Sequence, residues 1–552
     1  MPPEMTAAPA APRLAEWLSH TAAAIPLSIG DMLRKSAALW PEQEAVVFSH
    51  QPLIAEVRWT FAALDRQATL LAERLLAFGY QPGDRIAILG PNHPEWILLE
   101  YALAKAGLVL VALNPLYKKD ELIFTLNDSA VCGLFYADRI GGALTVDVLA
   151  EVRAHTPLLR SEHSFSVGIP ALLDGAAVPV ALPVVDPAAL FMIQYTSGTT
   201  GKPKAVHISH AAIVTTAHNA WTAWGLGSSS RVCHGFPLFH IGGSGHATPA
   251  AAVVGASTHP LYIFKASIAL DILEHERCDT FIGVPTMLIA MLDEPGLGAR
   301  NFTALKTVIV GGASVTSDLV QRCKQAFGAE VLNGYGQTET CGVTACTTRA
   351  DSADKKISTC GRALTGVSIA IIDSAGHTVE RNQIGQLHYQ GPGRMLGYQE
   401  AGSGGGVKPS SGWMPSGDLA IMDDAGYIKI VGRAKEMIIR GGENISPLEV
   451  ESYMLEHPAI RDVAVVGLYD EKYGEELCAA IRLVKGATVT GEEVRQWCAA
   501  RISRWKVPKY VAIVEEFPLT PSGKIKKFIL RQQMEHLFGL QSPTPSPHLA
   551  QE

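Results

Sequence analysis

TFAALDRQATLLAERLLAFGYQPGDRIAILG, Thr60 to Gly90, changes period once along its length. Leu64, Ala68, Leu71 and Leu75 follow Thr60 at helical spacing, and Gly79 stands where a helix stops. Asp84 to Gly90 (DRIAILG) then reads as a buried strand, and the texture returns at Asp279–Pro285 (DTFIGVP) and Leu305–Gly312 (LKTVIVGG). Apolar, β-branched runs separated by helices are what parallel strands covered on both faces require. The expected class is therefore α/β, with a large multi-subdomain N-terminal domain of parallel-rich sheets flanked by helices. A chain of 552 residues exceeds one ordinary core, so at least two domains are expected.

Beyond Gly432 the texture changes. Ser446 and Glu449 are spaced as a capping box with Pro447 at the first helical position, and Thr490 and Glu493 repeat the device ahead of Val494, Trp497 and Cys498. Strands at Asp462–Leu468 and Ala479–Val484 complete a small α+β unit. The expected division is 1–432, a joint at 433–435, a C-terminal domain at 436–540 and a disordered tail at 541–552. Glu400–Trp413, EAGSGGGVKPSSGW, reads as a loop.

Composition excludes several classes. The chain is 47% apolar and 18% charged with a net charge of −7 and no long basic run, which argues against global disorder and against nucleic acid as a partner. Nine cysteines between Cys132 and Cys498 form no C-x-x-C pair, and Cys341 with Cys346 lacks zinc-type spacing, so they read as reduced, mostly buried thiols. The N-terminal stretch carries Glu4 and Glu16 but no basic or apolar signal region, and the apolar run Ala106–Leu113 is too short to span a membrane. The closing residues HLAQE match no C-terminal address. A cytoplasmic location and no membrane span are expected.

The chemistry begins at YTSGTTGKPKAVHISH, Tyr195 to His210, where glycines, hydroxyls and lysines gather as in a polyphosphate-binding loop. It is not the common phosphate loop, because only Thr199 and Thr200 separate Gly198 from Gly201, and Pro203 follows Lys202. Alone, the stretch reads equally well as a solvated hairpin tip. Five further blocks accompany it: VGGAS at Val310–Ser314, NGYGQTE at Asn333–Glu339, WMPSGDL at Trp413–Leu419, GRAKEMIIRGGENISP at Gly432–Pro447, and PLTPSGK at Pro518–Lys524.

These six blocks, in this order from roughly residue 30 to 530, resemble the core motifs of the acyl-adenylate-forming (AMP-binding) superfamily, which holds acyl-CoA synthetases, peptide-synthetase adenylation domains and luciferases. The resemblance implies ATP, Mg²⁺ and coenzyme A as co-substrates and cofactor. It implies that Thr196, Ser197, Gly198, Thr199, Thr200, Gly201 and Lys204 hold the outer phosphates. Glu339 would ligate Mg²⁺, with Thr196 a second metal contact and Thr338 beside the α-phosphate. Gly312, Ala313, Ser314, Asn333, Gly334, Tyr335, Gly336 and Gln337 would surround the adenine and AMP, Tyr335 flanking the base. Asp418 and Arg433 would hold the ribose, since one carboxylate can accept both hydroxyls of a vicinal diol. Lys524 would be the catalytic lysine, offsetting charge that builds between acid and α-phosphate. Lys435 falls at the family's hinge, about which the small domain rotates between half-reactions, and Arg440, Gly441, Gly442 and Glu443 would present the coenzyme A face. Read without the resemblance, Glu339 is a loop carboxylate, Tyr335 and His240 are packed core rings, and Gly441–Gly442 is a tight turn.

Phe236–Gly243 reads FPLFHIGG; Pro237 and Leu238 replace the aspartate that amino-acid-activating relatives place here, which argues against an α-amino acid. His240, Ile241, Gly242, Gly243, Gly311 and Gly336 are the expected acyl-pocket residues, with the glycines read as leaving room for a medium-chain fatty, aryl or bulky polycyclic acid. No carrier domain follows Lys524, so free coenzyme A is the expected acceptor and a separate carrier protein the alternative. An oxygenase of the luciferase type and a nucleotide-binding pseudoenzyme are the competing classes. Gln386 and Gln390 stand where the family has an acidic and a basic residue, Ser416 replaces its threonine, and residues 402–406 form a glycine-rich insertion.

Overall fold

A computed structural model of the chain describes residues 24–175, 180–196, 203–312, 315, 317–399, 407–409, 412–441, 443–519 and 525–540. The expected tail at 541–552 and the insertion at 402–406 lie outside the described residues. Two compact units emerge, one within Met1–Ile369 and Tyr389–Met414, the other within Ala370–His388 and Pro415–Glu552.

Two sheets organise the first unit. The nine-stranded sheet runs Arg362–Ala363, Gly342–Cys346, Glu330–Gln337, Thr307–Gly311, Thr280–Gly283, Arg231–His234, Ser257–Pro260, Glu44–Phe48, Val57–Thr60. The eight-stranded sheet runs Val407–Pro409, Gly397–Gln399, Lys204–Ser209, Leu190–Thr196, Val109–Leu113, Arg85–Leu89, Gly133–Tyr136, Ser161–Ser164. The nine-stranded sheet is parallel in the middle and antiparallel at both margins, whereas the eight-stranded sheet is antiparallel at one margin and parallel through to Ser161–Ser164 at the other.

The opening stretch folds as its periods dictate. Phe61–Phe78 is a helix whose first turn is capped by Thr60, and Gly79 ends it in the left-handed region at φ 114°. Leu64, Ala68, Leu71 and Leu75 are its buried face, and Arg85–Leu89 follows as an interior strand. One expectation needs correction: Glu400–Trp413 is not loop throughout. Val407–Pro409 pairs antiparallel with Gly397–Gln399 at the sheet margin. Proline cannot donate to a ladder, so an edge strand is where such a segment can still pair.

The second unit holds a four-stranded sheet of Ser368–Ile372, Ile384–Gln390, Met414–Met422 and Ile428–Arg433. Its other sheet centres on the hairpin Ile460–Asp470 and Gly474–Leu483, with Ile438–Arg440, Glu443–Ile445 and Tyr510–Ile513 added. Thr490 and Glu493 form the reciprocal capping box. At Pro447–Met454 Ser446 accepts from the Glu449 amide, but the Glu449 carboxylate takes Lys506 rather than closing a box. All nine cysteines are free thiols, seven of them buried. No described helix is long and apolar enough to cross a membrane.

Glu100, on the helix Pro94–Ala106, has no exposed surface. Thr248 donates to its Oε2 at 2.9 Å, Oε1 has no partner, and burial pushes the carboxyl well above the ordinary range. The folded chain therefore holds a proton that the unfolded chain releases near pH 4.5, so the stability from this group is complete below that pH and is lost as pH rises. Glu100→Gln is expected to remove that loss. Its advantage in unfolding free energy should grow between pH 5 and pH 8, by up to about 1.4 kcal/mol per unit. An advantage that does not change with pH would contradict the buried neutral acid.

Candidate active site

In the first unit, Leu190–Thr196 and Lys204–Ser209 pair antiparallel with Thr196 opposite Lys204. The Tyr195 hydroxyl donates to Asp128 Oδ2 at 2.8 Å and lies 2.7 Å from Ser129 Oγ, tying the first strand to the end of the helix Lys119–Asp128. Ser197, Gly198, Thr199, Thr200 and Gly201 lie outside the described residues; the two strand ends that flank them, Thr196 and Lys204, are described.

Lys204 leads to a residue that the sequence did not reveal. Its Nζ lies 5.2 Å from the ring centre of Tyr398, whose strand pairs with Lys204–Ser209 at Val206. The Tyr398 hydroxyl donates to Glu339 Oε1 at 2.9 Å, and the Met395 amide donates to the Glu339 carbonyl at 2.9 Å. Burial, with the Glu339 carboxylate beside it, raises the Tyr398 phenol above its ordinary range, so it stays a donor. Thr196, Lys204, Tyr398 and Glu339 thus form one connected group of oxygens and a cation.

That donor set can be tested against a metal ion. Among the described residues no three His, Cys, Asp or Glu side chains converge. A cation at Glu339 would take its remaining oxygens from phosphate and water, which is how Mg²⁺ is usually held. The hard oxygens of Glu339 and Thr196 fit it. Tyr398→Phe leaves Glu339 without its orienting donor and is expected to weaken apparent Mg²⁺ affinity by about tenfold or more. A Mg²⁺ titration of activity that superimposes on the parent curve would remove Tyr398 from the site.

The segment Gly334–Glu339 continues the strand Glu330–Gln337 into a short turn, Thr338–Thr340. Tyr335 is half-buried, and Thr338 is buried. Asn333 spends its side-chain amide on the Lys356 and Thr359 carbonyls, which anchors the segment from behind. The Gln337 amide donates to Thr340 Oγ1, shaping the turn. Ala313 and Ser314 lie outside the described residues, while Gly312 sits in the left-handed region at φ 79°.

The glycines expected to leave room for an acid mostly accommodate protein instead. A Cβ on Gly336 would fall 1.7 Å from the Gly342 carbonyl oxygen, and one on Gly243 2.3 Å from the Pro237 carbonyl oxygen. At Gly334 the Trp224 indole is 3.0 Å away, at Gly311 the Gly334 carbonyl 3.2 Å, and at Gly242 the Phe236 ring 3.2 Å. Close approach of chain to chain requires glycine at 336 and 243 and leaves little room at the other three, so their number does not measure an empty volume. His240 caps a π-helix, Ile241–Ala247, and its Nδ1 accepts from the Gly242 amide at 3.3 Å. π-Helical turns concentrate at functional sites, and nothing in FPLFHIGG announced one.

In the second unit, Asp418 and Arg433 face each other across adjacent strands and pair at 2.8 Å. Asp418 is buried and Arg433 half-exposed, so the carboxylate is held in place by the residue expected to share its ligand. Gly417 takes φ 79°, and Ser416 Oγ accepts from the Asp418 amide at 3.0 Å, so the serine fills the family threonine's place as a hydroxyl acceptor. Lys435 lies on the exposed turn Ala434–Glu436 within this unit. Arg440 is committed internally: it pairs with buried Glu476 at 2.8 Å, donates to the Trp505 carbonyl at 2.7 Å and lies 5.3 Å from the Tyr473 ring centre. Gly441 turns at φ 60° and Glu443 is exposed. Gly442 and Lys524 lie outside the described residues. Nothing in the structure explains Gln386 or Gln390.

Comparison with known proteins bears on the whole arrangement. Residues 33–399 match the family model of the AMP-binding enzymes, and residues 449–524 match the AMP-binding enzyme C-terminal domain. The chain belongs to the AMP-binding enzyme family. This AMP-binding enzyme is 34% identical to the putative acyl-CoA synthetase YngI of Bacillus subtilis, across 93% of its own length and 98% of the relative's. It is 33% identical to the mitochondrial medium-chain acyl-CoA ligase ACSF2 of Mus musculus, over 92% of this chain and 88% of that one. Among solved structures, O-succinylbenzoate coenzyme A synthetase (MenE) of Bacillus subtilis, in complex with ATP and magnesium ion, superimposes with a TM-score of 0.78 at 27% identity, covering 91% of this chain and 99% of the other.

Proposed function

We propose that this AMP-binding enzyme is an ATP-dependent acid–thiol ligase acting on a hydrophobic carboxylic acid and coenzyme A. A carboxylate oxygen attacks the α-phosphorus of ATP, the bond to the β-phosphate breaks, and pyrophosphate leaves with acyl-AMP remaining. The coenzyme A sulfur, as thiolate, then attacks the acyl carbonyl and AMP departs. The observation that carries the reading is the group of Thr196, Lys204, Tyr398 and Glu339, which offers oxygens and a positive charge to a polyphosphate. Mg²⁺ bound there would neutralise phosphate charge. The chain's own part is to orient Glu339 through Tyr398, to present Thr196 and Lys204, and to hold Asp418 for a ribose. Chemistry of this kind depends mainly on positioning and charge.

The relatives' names support coenzyme A as acceptor and a medium-chain fatty or an aryl acid; a bulky polycyclic acid and a carrier-protein thiol are the alternatives. A panel of such acids, scored by pyrophosphate release with and without coenzyme A, tests the reading. Acid-dependent release that continues to acyl-CoA supports it, and release indifferent to every acid sinks it. We place the joint between the domains 1–432 and 436–540 at 433–435. Lys435→Pro is expected to spare adenylation and depress thioester formation; equal loss of both would count against a hinge there.

A further inference from the structure

Five histidines of the first unit are buried: His207, His210, His234, His246 and His259. Four have a partner. His207 Nε2 lies 3.0 Å from Gln399 Oε1, His210 Nδ1 accepts from the Ile29 amide at 3.4 Å, and His259 Nε2 lies 3.2 Å from Ser257 Oγ. His234 and His246 differ. They are 0% and 2% exposed; His234 has the backbone of Phe236 as a hydrogen-bond partner, whereas neither ring nitrogen of His246 makes a hydrogen bond. Trp224 Nε1 is also unpartnered, and its indole meets the His246 ring edge-on at 5.7 Å. His246 lies close enough to His234 to weaken that ring's hold on a second proton.

Burying a polar group without a hydrogen-bond partner destabilises the fold. An apolar side chain would fill the same space without that cost, so two such groups side by side, His246 and Trp224, call for a partner. Their position says where it comes from. His246 lies on the π-helix that His240 opens, and its Nδ1 is 3.5 Å from where a Cβ on Gly342 would stand. Gly342 pairs in register with Gln337, and the Trp224 indole borders Gly334. His246 and Trp224 therefore sit between the helix of His240 and the segment that ends in Glu339, with His234 close to His246.

Burial pushes both imidazoles down to about 4, and no carboxylate, lysine or arginine acts on either. Both are neutral near pH 7; His246 presents one donor and one acceptor, His234 an acceptor beside its bond to the Phe236 backbone, and Trp224 a further donor. A second carboxylate would find no counter-ion here, whereas a hydroxyl or a carbonyl would find its complement. We infer that the acid this enzyme activates carries a neutral hydrogen-bonding group, a hydroxyl or a carbonyl, remote from its carboxylate, and that His246, His234 and Trp224 receive it. The inference rests on the ligase reading above and narrows its substrate class.

The test uses the full chain and matched acids: straight-chain acids of medium length beside their hydroxy and oxo counterparts, and aryl acids beside hydroxyaryl ones. Specificity constants come from acid-dependent pyrophosphate exchange, and binding without chemistry from the rise in Tm each acid produces. For at least one position of the polar group, a preference of about tenfold or more over the apolar partner is expected, because a site built around a hydrogen bond rejects the analogue lacking it. The preference should collapse toward one in His246→Phe and persist in part in His246→Gln. If His246→Phe does not fold, the ratio in the parent enzyme decides. Turnover of apolar acids with no polar counterpart favoured in either readout overturns the inference and leaves the ligase reading standing. Selective stabilisation by a polar acid, with no acid driving pyrophosphate release, supports the site and sinks the ligase reading instead. A crystal structure with acid bound in which water still bridges the two imidazoles would also overturn it.

Discussion

Lys524→Ala is expected to slow acid-dependent pyrophosphate release by about a hundredfold or more while nucleotide binding persists. The expectation comes from PLTPSGK, Pro518 to Lys524, and the match to the family's C-terminal domain ends on this lysine. When a carboxylate attacks a phosphate, two anions meet, and negative charge concentrates on the oxygens around the α-phosphorus. An ammonium group placed there stabilises the transition state more than it stabilises bound ATP, so its loss should fall on the rate. Lys526 and Lys527 are close in sequence, but Lys527 pairs with Glu451 at 2.8 Å and is not expected to substitute. Exchange of labelled pyrophosphate into ATP, set beside equilibrium binding of ATP, separates rate from affinity. An exchange rate equal to that of the parent would end the proposed role for Lys524.

Arg440→Ala is expected to cost the second unit about 3–5 kcal/mol of stability, because it strands the Glu476 carboxylate without its counter-ion in the interior. The Glu476 side chain is only 2% exposed, and Arg440 meets it with Nε at 2.8 Å and Nη2 at 3.0 Å. Removing both partners should cost much less than removing one, so Arg440→Ala with Glu476→Gln is the informative companion. Local unfolding, followed by hydrogen exchange across Gly474–Leu483, reads the effect where it arises. The expected coenzyme A role for Arg440 makes a different demand. A raised KM for coenzyme A in an otherwise stable variant would favour recognition over scaffolding; a large loss of protection with KM unmoved would favour the reverse.

Local chemistry made parts of this molecule legible in advance. The helix Phe61–Phe78 announces itself because its buried face, its Thr60 cap and its Gly79 stop all lie within 20 residues of one another. Thr490 with Glu493 is readable for the same reason. Tyr398 is not, because its meaning depends on a strand pairing with Val206 and a hydrogen bond to Glu339, both far off in sequence. The glycines of FPLFHIGG and NGYGQTE read as room for a substrate, whereas protein atoms approach them closely. Sequence spacing cannot tell a substrate from the Pro237 or Gly342 carbonyl. His246 is opaque for a related reason. A histidine is an orphan only by virtue of its neighbours, and those come from separate strands and helices.

The 1.7 Å gap that a methyl group at position 336 would leave to the Gly342 oxygen reaches beyond local packing. No alanine can be tried there without moving the strand that leads into Glu339, so mutation at this position disturbs the proposed Mg²⁺ ligand before it can reshape substrate choice. Laboratory evolution of acid preference is thereby steered away from the glycine framework and toward side chains such as His246, whose size and polarity can change while the strand stays in place.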